Sequence, residues 1–188
     1  MFLLIITDLL NKYMFFEQNS FKRYLPKGFL MKNSTLKRLK RKQDNLPLHF
    51  IDSSVFLEIV FEQKYHKICS SFLNEVYYKS RLITSTLVLG EVLKSLQGIN
   101  NDRIREHWLL FFSQLLRDKN IALCMVSFAS LKNIDAIQEI EPFLASSDSL
   151  IFSTALAENC SVFVTLDNDF SIKLGRELDI IIKKPFDI

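Results

Sequence analysis

The chain has 188 residues, 48% apolar and 24% charged, which is enough for one domain with a sizeable core and is a globular rather than a disordered balance. Only four Gly occur, and there is no GxGxxG or GxxxxGK(S/T) loop, so a backbone cradle for a dinucleotide or a triphosphate is excluded. The net charge of +3 is unevenly spread: residues 1–48 carry ten Lys and Arg against three Asp and Glu, a net +7, whereas residues 49–188 carry fourteen against eighteen, a net −4.

The opening MFLLIITDLL is a poor secretory leader, because no basic stretch precedes it, Asp8 interrupts it and no small-residue cleavage site comes after it. Read through Phe16 it is still shorter than the ~20 apolar residues of a spanning helix, and no membrane role is expected. Between Phe21 and Lys42 lie nine basic residues and no acid. Two readings fit Lys37, Arg38, Lys40, Arg41 and Lys42: a solvated, loosely ordered arm, or one that binds phosphates. Asn45-Leu46-Pro47 then separates the arm from the rest of the chain, giving an expected extension over 1–48 and a domain over 49–188.

From there the pattern alternates. Leu48–Ile51 is a short apolar run suited to a buried strand, and Ser53–Glu62 and Tyr65–Tyr78 read as helices. Arg81–Thr86 predicts a second strand, followed by helices over Leu87–Leu96 and Arg103–Arg117. Ile121–Val126 predicts a third strand, with helices near Leu131–Ile140 and Ser147–Glu158. Ser161–Leu166 is a fourth strand and Ile180–Ile182 a fifth. Short continuous apolar strands separated by helices indicate an α/β fold of three layers, αβα, around a short parallel sheet with right-handed crossovers. The 17 Phe suggest bulky layers between elements. Trp108, Leu109, Phe111 and Phe112 crowd one helix, where core packing is the default expectation and a homodimer face, or a groove for a partner protein's helix, the alternative.

Cys69, Cys124 and Cys160 lie far apart and form no CxxC pair, so the expected home is a reducing cytoplasm. His49, His66 and His107 have neither HExxH spacing nor a Cys partner, which argues against zinc. Working groups in parallel sheets gather at the carboxyl ends of strands. By that rule Asp52 follows strand one, Glu91 sits early in the helix after strand two, Asp148 opens the helix before strand four, and Asp167 with Asp169 follows strand four. Each acid has an ordinary explanation: Asp52 and Asp148 as helix caps, Glu91 as an exposed helix residue, Asp167-Asn168-Asp169 as a turn. Four acids falling where one topology converges is harder to explain so. Converging carboxylates repel unless they share a cation, and oxygen donors alone favour Mg²⁺ or Mn²⁺. That chemistry suits phosphodiester hydrolysis, and no Ser/His/Asp triad or GxSxG elbow competes.

Four segments in order resemble the motifs of PIN domains. They are Phe50-Ile51-Asp52-Ser53-Ser54-Val55, Thr84 to Glu91, Asp148 to Ala155, and Val162 to Phe170 with its Thr-x-Asp-x-Asp-Phe ending. The resemblance spans residues 49–188 and implies a Mg²⁺/Mn²⁺-dependent endoribonuclease acting on RNA, as in VapC toxins, with an antitoxin protein as a partner. It implies that Asp52, Glu91, Asp148 and Asp167 hold metal or activate water, that Ser54 and Thr165 orient the carboxylates, and that Asp169 is auxiliary. The basic extension departs from compact toxins of this family, which begin close to the first strand. The other readings that stay open are a catalytically silent module that binds RNA or a protein, and a DNA nuclease of related fold.

Overall fold

The computed structural model describes residues 46–187, and the basic residues Lys37 to Lys42 lie outside the described residues. Five strands alternate with helices: β1 (Leu48–Ile51), α1 (Ser53–Val60), α2 (His66–Val76), β2 (Arg81–Ser85), α3 (Thr86–Gln97), α4 (Asp102–Asp118), β3 (Ala122–Cys124), α5 (Phe128–Leu131), α6 (Ile134–Ile140), α7 (Ser146–Ala157), β4 (Val162–Val164), α8 (Ile172–Glu177) and β5 (Ile181–Lys183). The strands form one sheet in the order β3-β2-β1-β4-β5, every pair parallel. This is the expected α/β architecture, a short parallel sheet flanked by helices. All the strand ends that face the site therefore lie on one edge.

The centre of the sheet is apolar on both faces, as a covered parallel sheet requires. Phe50 and Phe163, register partners on β1 and β4, stack with ring centroids 5.4 Å apart. Phe152 of α7 meets Phe163 edge-on at 5.0 Å, and Phe170 closes the cluster at 4.8 Å from Phe163. Four of the 17 Phe thus pack together around β1 and β4. Phe56 of α1 and Phe112 of α4 make a second buried pair at 5.3 Å. The three cysteines are free and buried, and burial pushes each thiol up to about 12.

Several elements differ from expectation for local reasons. The segment expected as one helix near Leu131–Ile140 is two short helices, α5 and α6, separated by Lys132 and Asn133. An additional helix, α8, follows Ser171, whose side chain caps it by accepting from the Leu174 amide. Helix α4 buries only Phe112 and Leu116. Trp108 and Phe111 are half-buried while Ile104 and Leu110 are exposed, so core packing accounts for only part of that apolar run. Glycine is scarce at helix ends: Glu62, Asn120, Asn159 and Asp179 take the left-handed conformation there, with φ between 47° and 55°.

Two glycines predict opposite outcomes. A Cβ at Gly175 would lie 2.5 Å from the Ile180 carbonyl and 3.0 Å from Ile182, because α8 approaches β5 closely. Gly90, in α3, has nothing within 4 Å. Gly175→Ala should cost about 1–3 kcal/mol through overpacking. Gly90→Ala should stabilise by about 0.5–1 kcal/mol by helix propensity. Urea denaturation of both variants checks the pair.

Candidate active site

In the strand order the chain runs outward from β1 to β2 and β3 on one side, and from β4 to β5 on the other. The reversal between β1 and β4 opens a crevice at their carboxyl ends, the usual binding place in such sheets. Asp52 leaves β1 there, its amide donating to the Val164 carbonyl at 3.0 Å. Asp52 is the N-cap of α1 and is 4% exposed. The cap explanation and membership of the acid cluster therefore hold together for this residue.

A buried carboxylate needs donors. Asp52 Oδ2 receives the Ser54 hydroxyl at 2.7 Å and the Thr165 hydroxyl at 2.8 Å, with the Ser54 amide at 3.4 Å. Each hydroxyl has one proton, and giving it to Asp52 leaves its oxygen free to accept. Ser54 Oγ accepts from the Leu166 amide at 2.9 Å, and Thr165 Oγ1 accepts from the Asp167 amide at 2.9 Å. The turn after β4 is thereby tied to the carboxylate after β1. Burial raises the Asp52 pKa, opposed by these hydrogen bonds. Oδ1 is less engaged, with the Ser53 hydroxyl at 3.5 Å.

Glu91 lies in the second turn of α3, half-buried, held by the helix that Ser85 caps through the Val88 amide at 3.2 Å. Its pKa is raised by burial first and by the Asp52 charge, and lowered by a hydrogen bond from Ser53 and by Lys94. Asp148 occupies the third position of α7, and the N-cap is Ala145, so Asp148 does not cap its helix. A helix N-terminus would favour the ionised form. Asp148 is nevertheless pushed up to about 6, by burial and then by the charges of Glu91, Asp52 and Asp167. Asp167, half-buried, accepts from the Asp169 amide at 2.9 Å in an Asx turn. Four segments far apart in sequence thus bring their carboxylates within electrostatic reach.

Asp169 is exposed and is not among the charges acting on Asp148. Lys37, Arg38, Lys40, Arg41 and Lys42 fall outside the described residues. Two participants were not legible from the motifs. Ser53 sits between Asp52 and Glu91, hidden beside the motif hydroxyl of Ser54. Lys184 reaches the turn after β4 from beyond β5.

The donor set consists of carboxylate oxygens without nitrogen or sulfur, which suits a hard divalent cation. No salt bridge reaches any of the four acids among the described residues, where the ion pair present joins Arg105 to Asp102. Nor do any three His, Cys, Asp or Glu side chains among the described residues close into a ready coordination shell. Like charges without a counterion hold one another apart, so charge coupling without a closed shell is the expected metal-free arrangement.

A family model for the PIN domain matches residues 49–173. No curated protein sequence matches. Among solved structures, VapBC2 from Rickettsia felis, bound to a DNA fragment from their promoter, aligns at 18% identity and TM-score 0.58 over 73% of this chain and 98% of that one. FitAcB from Neisseria gonorrhoeae aligns at 14% identity and TM-score 0.57, over 74% and 99%. VapC20 from Mycobacterium tuberculosis, a sarcin-ricin loop cleaving toxin, aligns at 14% identity and TM-score 0.50, over 64% and 91%. At these identities the likeness is one of fold.

The raised Asp148 carboxyl makes a signed prediction. Its native pKa of about 6 exceeds the ordinary 3.8, so its ionisation opposes folding above about pH 6 and not below 3.8. In metal-free buffer Asp148→Asn should be more stable than wild type at neutral pH, by no more than about 1 kcal/mol because the group is half-exposed. The difference should close as pH falls through 6 towards 3.8. Denaturation with chelator across that range tests it, and a variant less stable than wild type at neutral pH would leave Asp148 a structural residue.

Proposed function

The chain belongs to the PIN domain family, and from that premise we propose that it is a divalent-metal-dependent endoribonuclease hydrolysing RNA phosphodiester bonds, as a VapC-type toxin or an RNA-processing nuclease. The observation that carries the reading is the action of Asp52, Glu91 and Asp167 on Asp148, four carboxylates with no salt-bridge partner among the described residues. Asp52 through its less engaged Oδ1, together with Asp148 and Asp167, would hold Mg²⁺ or Mn²⁺. Such an ion, when bound, lowers the pKa of a water and neutralises charge on the phosphate.

The remaining chemistry belongs to the chain. Ser54 and Thr165 fix the Asp52 carboxylate, so its open oxygen faces a constant direction. Glu91, with its pKa raised, is suited to take the proton of the attacking water. Asp169 serves as an auxiliary acid at the exposed rim. RNA is drawn to an acidic site against its own charge, and Lys37, Arg38, Lys40, Arg41 and Lys42 would supply phosphate contacts. The exposed Ile104 and Leu110 with half-buried Trp108 on α4 suit a protein partner, an antitoxin or a second copy. Among the described residues no helix is long and apolar enough to cross a membrane, and we assign the protein to the cytoplasm.

The second reading, a catalytically silent PIN module binding RNA or a protein, draws on the absence of a closed trio of ligands among the described residues. Activity separates the two. Purified protein should cleave single-stranded RNA with Mg²⁺ or Mn²⁺ and lose that activity to chelator. Asp167→Asn should lose on the order of 10²-fold in rate while keeping its circular dichroism spectrum. Cleavage at the wild-type rate would remove Asp167 from the mechanism, and no cleavage by wild type with either metal would favour the silent module.

The arm makes a separate prediction. Deleting residues 1–44 should weaken RNA binding and flatten its salt dependence, with the single-turnover rate at saturating RNA unchanged. Equal affinity for both proteins at every salt concentration would leave the arm without a role in binding.

A further inference from the structure

Lys184 follows β5, seventeen residues beyond Asp167, and its ammonium donates to three acceptors on the turn after β4. These are the Leu166 carbonyl at 2.9 Å, the Asp167 carbonyl at 3.1 Å and Asn168 Oδ1 at 2.6 Å. An ammonium has three protons, and all three are committed. The same turn is held from its other side, because the Leu166 and Asp167 amides donate to Ser54 and Thr165. The amide and carbonyl of both Leu166 and Asp167 therefore have partners, two pairs on opposite sides.

Lys184 is itself fixed. Its amide donates to Asp187 Oδ2 at 3.0 Å, and the Asp187 amide returns to the Lys184 carbonyl at 3.0 Å. Pro185 is buried, Phe186 meets Tyr65 with centroids 5.9 Å apart, and the Thr165 amide donates to the Lys183 carbonyl at 3.0 Å. The clamp therefore stands on the sheet and on the segment before α2.

We propose that Lys184 is a positioning residue of the acidic site, its ammonium clamping the Leu166–Asn168 turn so that the Asp167 carboxylate is held facing Asp148 and Asp52. This rests on the nuclease reading for its consequence and on geometry alone for its mechanism. Three acceptors converge on one nitrogen, a geometry that fits a point charge with rotatable donors and not the planar fork of Arg. A Lys placed merely to bind phosphate would leave its protons free for the ligand.

The test compares wild type with Lys184→Met, Lys184→Arg and Asn168→Ala, the last removing one acceptor from an exposed side chain so that it folds whether or not Lys184→Met does. In metal-free protein, amide exchange at Leu166, Asp167 and Asp169 should accelerate on the order of tenfold in Lys184→Met, less in Asn168→Ala, and remain unchanged in α1. With Mg²⁺, single-turnover kcat should fall on the order of tenfold and the metal concentration for half-maximal activity should rise, with KM for RNA and its salt slope unmoved. Lys184→Arg should recover only part of the loss. Unchanged exchange in the turn overturns the proposal, as does a defect confined to KM and the salt slope, which makes Lys184 a phosphate contact. If wild type cleaves no RNA, the nuclease reading fails, and the exchange data still decide whether Lys184 clamps the turn.

Discussion

A carboxylate that is 4% exposed, with no salt-bridge partner among the described residues, is the constraint from which the site is built. Burying Asp52 ionised is costly unless strong donors meet it, and charge-assisted hydrogen bonds are the strong kind. The chain supplies Ser54 from α1 and Thr165 from the end of β4. Because each hydroxyl also accepts a backbone amide from the turn after β4, satisfying one carboxylate fixes the entry of a second acid, Asp167. The β1–β4 pairing, the Phe50–Phe163 stack beneath it and the hydroxyl pair above it form one continuous support.

The other three acids are held differently. Glu91, Asp148 and Asp167 are half-buried, carried on two helices and a turn, and placed by the backbone more than by side-chain donors. Burial first, and then the charges of neighbouring acids, raise the pKa of Asp148 and Glu91, and on Glu91 Ser53 and Lys94 offset part of that rise. A protein optimised only for stability would separate or neutralise such a group. Retaining it is intelligible if a cation belongs there, since one divalent ion removes several repulsions at once.

The sequence was informative where periodicity and motif coincide. Asp52 and Asp167 stand at the ends of apolar strands, so the rule of carboxyl ends locates them, and the parallel sheet confirms that these ends share an edge. Helix length near Leu131 was not legible, because the apolar spacing continues across Lys132 and Asn133 although the helix does not. The apolar run on α4 reads as core by composition, yet only Phe112 and Leu116 of that helix are buried, since density alone does not fix which face is covered. Ser53 carries no motif signal, and its place between Asp52 and Glu91 follows from how α3 sits beside α1. Lys184 has no motif, because its partners are backbone carbonyls and an amide side chain that any sequence could present.

The contrast between one rigid acid and three less constrained ones bears on how the site could work. Asp52 spends Oδ2 on three donors and keeps Oδ1 nearly free, so it sets a fixed reference direction at the mouth of the crevice. Three acids of lower burial can then adjust by side-chain rotation to an incoming charge, at little cost to the sheet. A fully rigid set of four would store its whole repulsion in the folded protein, whereas a fully loose set would spend binding energy on ordering side chains. Holding one carboxylate by hydrogen bonds, and a second by the turn that carries it, limits both costs. The two hydroxyls engage Oδ2 alone and leave Oδ1 open, while the Lys184 ammonium acts on two backbone carbonyls and on Asn168, so it orders the turn without engaging a carboxylate of the site.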